Sequence, residues 1–77
     1  MDTQSLTELK QNQTGVIDYV FGNTHLKRRL LELGFTKGSK VRILNVSPLK
    51  NSYLLELHGY VIALRQNAVK NIQVVVE

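Results

Sequence analysis

Apolar residues along this chain recur mostly at every second position, in short runs separated by glycine, asparagine and serine, a rhythm that predicts strands. Val16-Ile17-Asp18-Tyr19-Val20-Phe21 is the first such run. Asn12, Gln13, Thr14 and Gly15 supply turn chemistry before it, and Gly22-Asn23 breaks it. Lys40 to Val46 predicts a second strand with an irregularity: Val41 and Ile43 share one face with Asn45, whereas Arg42, Leu44 and Val46 share the other. The apolar side switches at Ile43-Leu44, as expected of a bend or bulge in a small curved sheet. Tyr53 to Leu57 places Tyr53, Leu55 and Leu57 on one face, His58-Gly59 makes a two-residue turn, and Tyr60 to Leu64 returns as the hairpin partner. After a short helical turn within Arg65 to Lys70, Ile72, Val74 and Val76 alternate in a last strand.

Two segments depart from the period of two. Ser5-Leu6-Thr7-Glu8 has the Ser-x-x-Glu form of a capping box and predicts one helical turn. Thr24 is positioned to cap a helix from His25 to about Leu33, with Leu26, Leu30 and Leu33 on one face and Gly34 in the left-handed position that ends it. Gly15, Gly22, Gly34, Gly38 and Gly59 all fall at junctions where positive φ is expected. The expectation is a mainly β fold of about five short strands with one inserted α-helix and a short N-terminal helical turn, closed into a small barrel that removes its edges. At this level SH3-like and OB-like barrels both remain open.

Composition narrows the chemistry. Within 77 residues one hydrophobic core is all that fits, so a single domain over residues 1–77 is expected. With no cysteine, disulfides, thiolate metal sites and cysteine nucleophiles drop out. A hydrophobic fraction of 43% with 21% charged residues is ordinary for a folded protein. No apolar run approaches the roughly 18 residues that span a bilayer, and Met1 to Gln4 lacks the basic and apolar regions of a signal peptide, so a cytoplasmic location is expected. The net charge of +4 favours an anionic partner without choosing among nucleic acid, membrane and acidic protein.

The run Arg29-Leu30-Leu31-Glu32-Leu33-Gly34-Phe35-Thr36-Lys37-Gly38-Ser39-Lys40-Val41 resembles the RLxELGxxxGxxV stretch of FeoA domains. Leu9 with Gly15-Val16-Ile17 upstream, and Gly59-Tyr60-Val61-Ile62-Ala63-Leu64-Arg65 followed by Ala68 and Ile72-Gln73-Val74 downstream, continue the likeness over nearly the whole chain. The resemblance implies an SH3-like barrel with a helix inserted after the first strand. It also implies an accessory role in ferrous-iron transport, with docking on the cytosolic part of a FeoB-type transporter. FeoA domains are similar to a C-terminal domain of metal-dependent repressors, but no DNA-binding helical domain precedes the motif here, so a free-standing FeoA is the expectation. Where the family often has a Gly-Asp-Pro-type loop, this chain has Lys50-Asn51-Ser52.

Candidate chemistry is sparse. His25 and His58 lie far apart and show no His-x-x-x-His or Glu-x-x-His spacing, so no metal site and no bound cofactor are expected, and solvated polar residues are the simpler reading. Without a phosphate-cradling glycine loop or a convergent carboxylate pair, no catalytic residue is assigned either. Lys27-Arg28-Arg29 points in three directions about 100° apart on a helix, which reads as a solvated surface, and Arg28 can pair with Glu32 one turn on. Leu31 lies off the Leu26-Leu30-Leu33 stripe and is expected either exposed among cations or packed on the barrel. An apolar anchor rimmed by charge suits a protein partner, so the expected contact surface is Arg28, Leu31 and Lys37. Two other readings are a nucleic-acid-binding barrel, motivated by the positive charge, and a metal-sensing domain; specific nucleic-acid binding is not expected, because few aromatics are free to stack on bases.

Overall fold

The computed structural model describes residues 3–77. In chain order it comprises β1 (Gln4–Ser5), a 3-10 turn (Leu6–Glu8), β2 (Thr14–Val20), α1 (Thr24–Glu32), β3 (Lys40–Val46), β4 (Ser52–Leu57), β5 (Tyr60–Arg65), α2 (Gln66–Val69) and β6 (Ile72–Val76). The strands form one antiparallel sheet in the order β1-β6-β2-β3-β4-β5. The fold class is the expected one, with two-residue β1 added to the expected strands and α2 forming the short helical turn expected within Arg65 to Lys70.

Two bulges curl the sheet. In β3 the partner of Ile43 is Leu55 and the partner of Asn45 is Leu54, so Leu44 is an extra residue at the place where the apolar side switches in the sequence. In β2 the register jumps from Ile17 opposite Val74 to Tyr19 opposite Gln73, leaving Asp18 extra. That second bulge lets Ile17 and Val20, three positions apart, both face the core, and it turns Tyr19 outward. Phe35, Ile43, Leu55, Ile72 and Val74 are fully buried, and Leu6 and Leu9 from the N-terminal turn seal one end of the core. Among the described residues no polar side chain is buried.

Closure differs from the expected edge-free barrel. β1 and β5 end the sheet and do not pair with each other. The physical reason is the length of β1, which offers two residues to β6 before the 3-10 turn diverts the chain. Instead α2 bridges the opening, packing against β4, β5 and the 3-10 turn and burying Val69 completely.

Several local readings need correction. Helix α1 is capped by Asn23, whose Oδ1 accepts a hydrogen bond from the Leu26 amide at 2.8 Å; Thr24 is already the first helical residue. Asparagine in extended conformation just before the helix presents its acceptor to the N3 amide, which the expected cap one residue later does not do. In the N-terminal turn Ser5 accepts from the Thr7 amide at 3.2 Å, so the cap forms one residue closer than in a capping box. Gly15 lies inside β2 without positive φ, and its reason is space: a Cβ there would stand 2.9 Å from Val74 Cβ. The Lys50-Asn51-Ser52 loop is organised by Ser47, whose Oγ accepts from the Asn51 and Ser52 amides, both at 3.1 Å.

Candidate functional site

Helix α1 presents two faces. Leu30 is 1% exposed, with Leu26 and Leu33 partly buried against the core, so the expected stripe is the packing face. Leu31, about 100° around the axis from Leu30, is 41% exposed. It lines a shallow hollow of about 430 Å³ together with Gly22, Thr24, Lys27 and Arg28. Of the two positions left open for Leu31 by the sequence, the structure therefore takes the outward one, beside Arg28.

Lys37 does not join them. It sits exposed in the turn after α1 and lines no part of that hollow. The turn is held to β2 by backbone bonds, from the Gly38 amide to the Ile17 carbonyl and from the Ile17 amide to the Ser39 carbonyl, each 2.8 Å. The pairing of Arg28 with Glu32 is also not formed; among the described residues the ion pair present is Lys40 with Glu77 at 3.1 Å, between exposed side chains. Holding two long surface side chains together gains too little to order them.

The surface extends further than the sequence reading placed it. Tyr19 and Phe21 are each about half exposed, and their rings meet edge-to-face with centroids 4.6 Å apart. Lys27 Nζ lies 5.2 Å from the Tyr19 ring centroid, a cation–π distance, so Lys27 belongs to both the aromatic pair and the hollow. The result is an exposed strip of two aromatic rings and one leucine, interleaved with Lys27 and Arg28. The sequence reading did not single out Tyr19 and Phe21, since simple alternation from Ile17 would place Tyr19 inside; the available signal was Asp18, a carboxylate in an otherwise apolar run, which occupies the bulge.

His25 and His58 are both exposed. His58 Nε2 contacts the Gly34 carbonyl at 3.2 Å, tying the β4–β5 turn to the end of α1. No group of three metal-ligating side chains converges among the described residues, and no helix there is long and apolar enough to cross a membrane.

The FeoA domain family matches residues 4–76 of this chain. A Campylobacter jejuni protein, named provisionally as Fe(2+) transport protein A, is 31% identical over 70 residues, covering 91% of this chain and 95% of that protein. The crystal structure of Stenotrophomonas maltophilia FeoA complexed with zinc, described as a prokaryotic SH3 domain protein, is 33% identical and superposes with a TM-score of 0.78 over 96% of this chain and 89% of that one. A manganese-dependent transcriptional repressor matches in fold alone, with a TM-score of 0.92 at 17% identity, and this chain covers 38% of its length. With the family motif spread across all strands of an SH3-like sheet, and similar proteins aligned end to end, the chain belongs to the FeoA domain family.

Proposed function

We propose that this chain is a non-enzymatic, cytosolic accessory protein of ferrous-iron transport, which supports iron uptake by docking on the cytosolic part of a FeoB-type membrane transporter. The family membership supplies the transport context. The similar Campylobacter protein is named for Fe(2+) transport, and the similar Stenotrophomonas protein is described as possibly acting as a ferrous iron transport activating factor. The observation that carries the docking step is the exposed strip of Tyr19, Phe21 and Leu31 set among Lys27 and Arg28. Exposed aromatic rings and an apolar side chain rimmed by cations suit a contact centre. Tyr19 lies in β2 and Leu31 in α1, and Phe21 directly follows β2 with its amide bonded to the Asn71 carbonyl, so little reordering is needed on binding. Arg28 and Leu31 are the assigned contact residues, with Tyr19 and Phe21 added, and Lys37 stands apart from this surface.

The same side chains could stack on bases and neutralise phosphates, which gives the nucleic-acid reading a concrete site. Two aromatics and two cations on a shallow surface suffice for weak, salt-sensitive association only.

Leu31→Asp discriminates among these readings. It should abolish capture by the isolated cytosolic region of a FeoB-type transporter while shifting stability by no more than about 0.5 kcal/mol, the ordinary range for an exposed site. Leu30→Asp places an unpaired carboxylate in the core and should unfold the domain, at a cost of several kcal/mol. Normal capture by Leu31→Asp, or unfolding as complete as that of Leu30→Asp, rules out Leu31 as an exposed contact. Tight oligonucleotide binding that withstands physiological salt and is lost with Leu31→Asp would move the site to nucleic acid.

A further inference from the structure

A second surface lies on another face of α1, where the helix stands beside β5. β5 is the last strand of the sheet, and only β4 pairs with it. Leu57 and Tyr60 flank the two-residue turn, so Leu57–Tyr60, Leu55–Ile62 and Tyr53–Leu64 take the hydrogen-bonded positions of the ladder. The N–H and C=O groups of Val61 and Ala63 then point away from β4. Among the described residues no backbone bond from another element reaches them.

Exposed strand edges are usually guarded by proline, a bulge or an inward-pointing charge. β5 has none of these between Tyr60 and Leu64, its pairing with β4 is unbroken, and Val61 is 56% exposed. Between this edge and α1 runs a cleft of about 400 Å³, with Leu26 and Leu33 on the helix side and Ala63 and Leu64 on the strand side. Arg29 and Arg65 also line it, both exposed, and among the described residues no carboxylate does. The helix and strand are held at fixed spacing at one end, because the Tyr60 hydroxyl donates to the Leu33 carbonyl and His58 reaches the Gly34 carbonyl.

We propose that this cleft receives an acidic, extended peptide segment of a partner protein, which adds to the sheet as a strand beside β5. An extended backbone is the partner that satisfies outward N–H and C=O groups spaced two residues apart, and alternate apolar side chains would enter the cleft. Carboxylates on the segment answer Arg29 and Arg65, which offer bidentate donors and make no ion pair among the described residues. A second copy of this chain is the poorer occupant: it carries a net charge of +4, and β5 against β5 would bring a second Arg65 and no carboxylate to the edge. The site is independent of the Leu31 face, so either can fail without the other.

The test is selection from a random peptide display library against the full chain, followed by NMR titration with the synthesised winners. Winning peptides should alternate acidic and apolar residues, perturb the Val61 and Ala63 amides, and protect those amides from hydrogen exchange. Ala63→Pro removes a donor that faces away from β4, so the ladder should survive while affinity falls about tenfold, as for loss of one edge hydrogen bond. Combined Arg29→Glu and Arg65→Glu should convert the selected peptides from acidic to basic; this variant decides the matter if Ala63→Pro melts early. Four results would each overturn the proposal: no enriched peptide, winners that are basic, winners that perturb Tyr19, Phe21 and Leu31 instead, or a dimer of this chain that Ala63→Pro abolishes.

Discussion

Gly34 carries two constraints at one position. Its φ of +109° lies where an L side chain is strained, and a Cβ would stand 2.9 Å from His58 Cδ2. Gly38 shares only the first constraint, with φ +91° and open space around it. Gly38→Ala should therefore cost the backbone term alone, about 1–2 kcal/mol. Gly34→Ala should cost more, and adding His58→Ala should recover the difference. Thermal melting of the two single variants and the double variant measures that coupling. Equal losses for Gly34→Ala and Gly38→Ala would mean that the His58 contact with α1 contributes nothing. His58, read from the sequence as a solvated polar residue, also has a structural role: with φ +53°, it occupies the first position of the tight turn and reaches back to the helix.

At the scale of elements, the end of one unit sets the exposure of another. Asn23 starts α1 one residue earlier than the threonine cap would, and the helix then carries Leu30 inward and Leu31 outward. Asn23→Ala should cost about 1 kcal/mol, a drop of roughly 4–8 °C in a domain of this size, while Thr24→Ala should leave the melting temperature nearly unchanged. The reverse order would return the cap to Thr24. In β2, the Asp18 bulge does similar work for the aromatic pair. Without the extra residue, the alternation that buries Ile17 would also bury Tyr19, and Lys27 would lose the ring it approaches. The strip used for docking is thus made by an irregularity in one strand and a cap on one helix.

At the scale of the whole molecule, stability rests on one apolar core built from β2, β3, β4 and β6 together with Leu30 of α1, Val69 of α2, Phe35 and the N-terminal Leu6 and Leu9, with no buried polar side chain among the described residues and one exposed ion pair. Nothing in that core calls for a metal. Far-ultraviolet circular dichroism and the melting temperature should be the same with and without a strong chelator. Loss of the folded signal on chelation would show that a bound ion completes the fold. The molecule also leaves its sheet open at β5, and a small domain with an unguarded edge is a natural recipient for a strand from elsewhere.

Much of this architecture was legible in the chain itself. Period-two alternation marks β4 and β6, the leucine spacing and Gly34 mark α1, the change of side at Ile43-Leu44 marks the β3 bulge, and His58-Gly59 sets the hairpin register. These are local signals, in which neighbours a few residues apart share one backbone geometry. The exposure of Leu31 beside Arg28 was half legible, because a helix fixes angles around its axis but not which flank meets the sheet. Three features arose only in the tertiary structure. β1 is two residues whose pairing depends on β6, some 70 positions away. Tyr19 and Phe21 face solvent because β2 bulges against that same strand. The cleft beside β5 exists because β1 turns away before it can close the sheet, leaving α2 to bridge the gap. Sequence by itself decided what each segment prefers to be; contacts between segments distant along the chain decided which surfaces were left over, since burial of one face by a remote partner is what assigns the other to water.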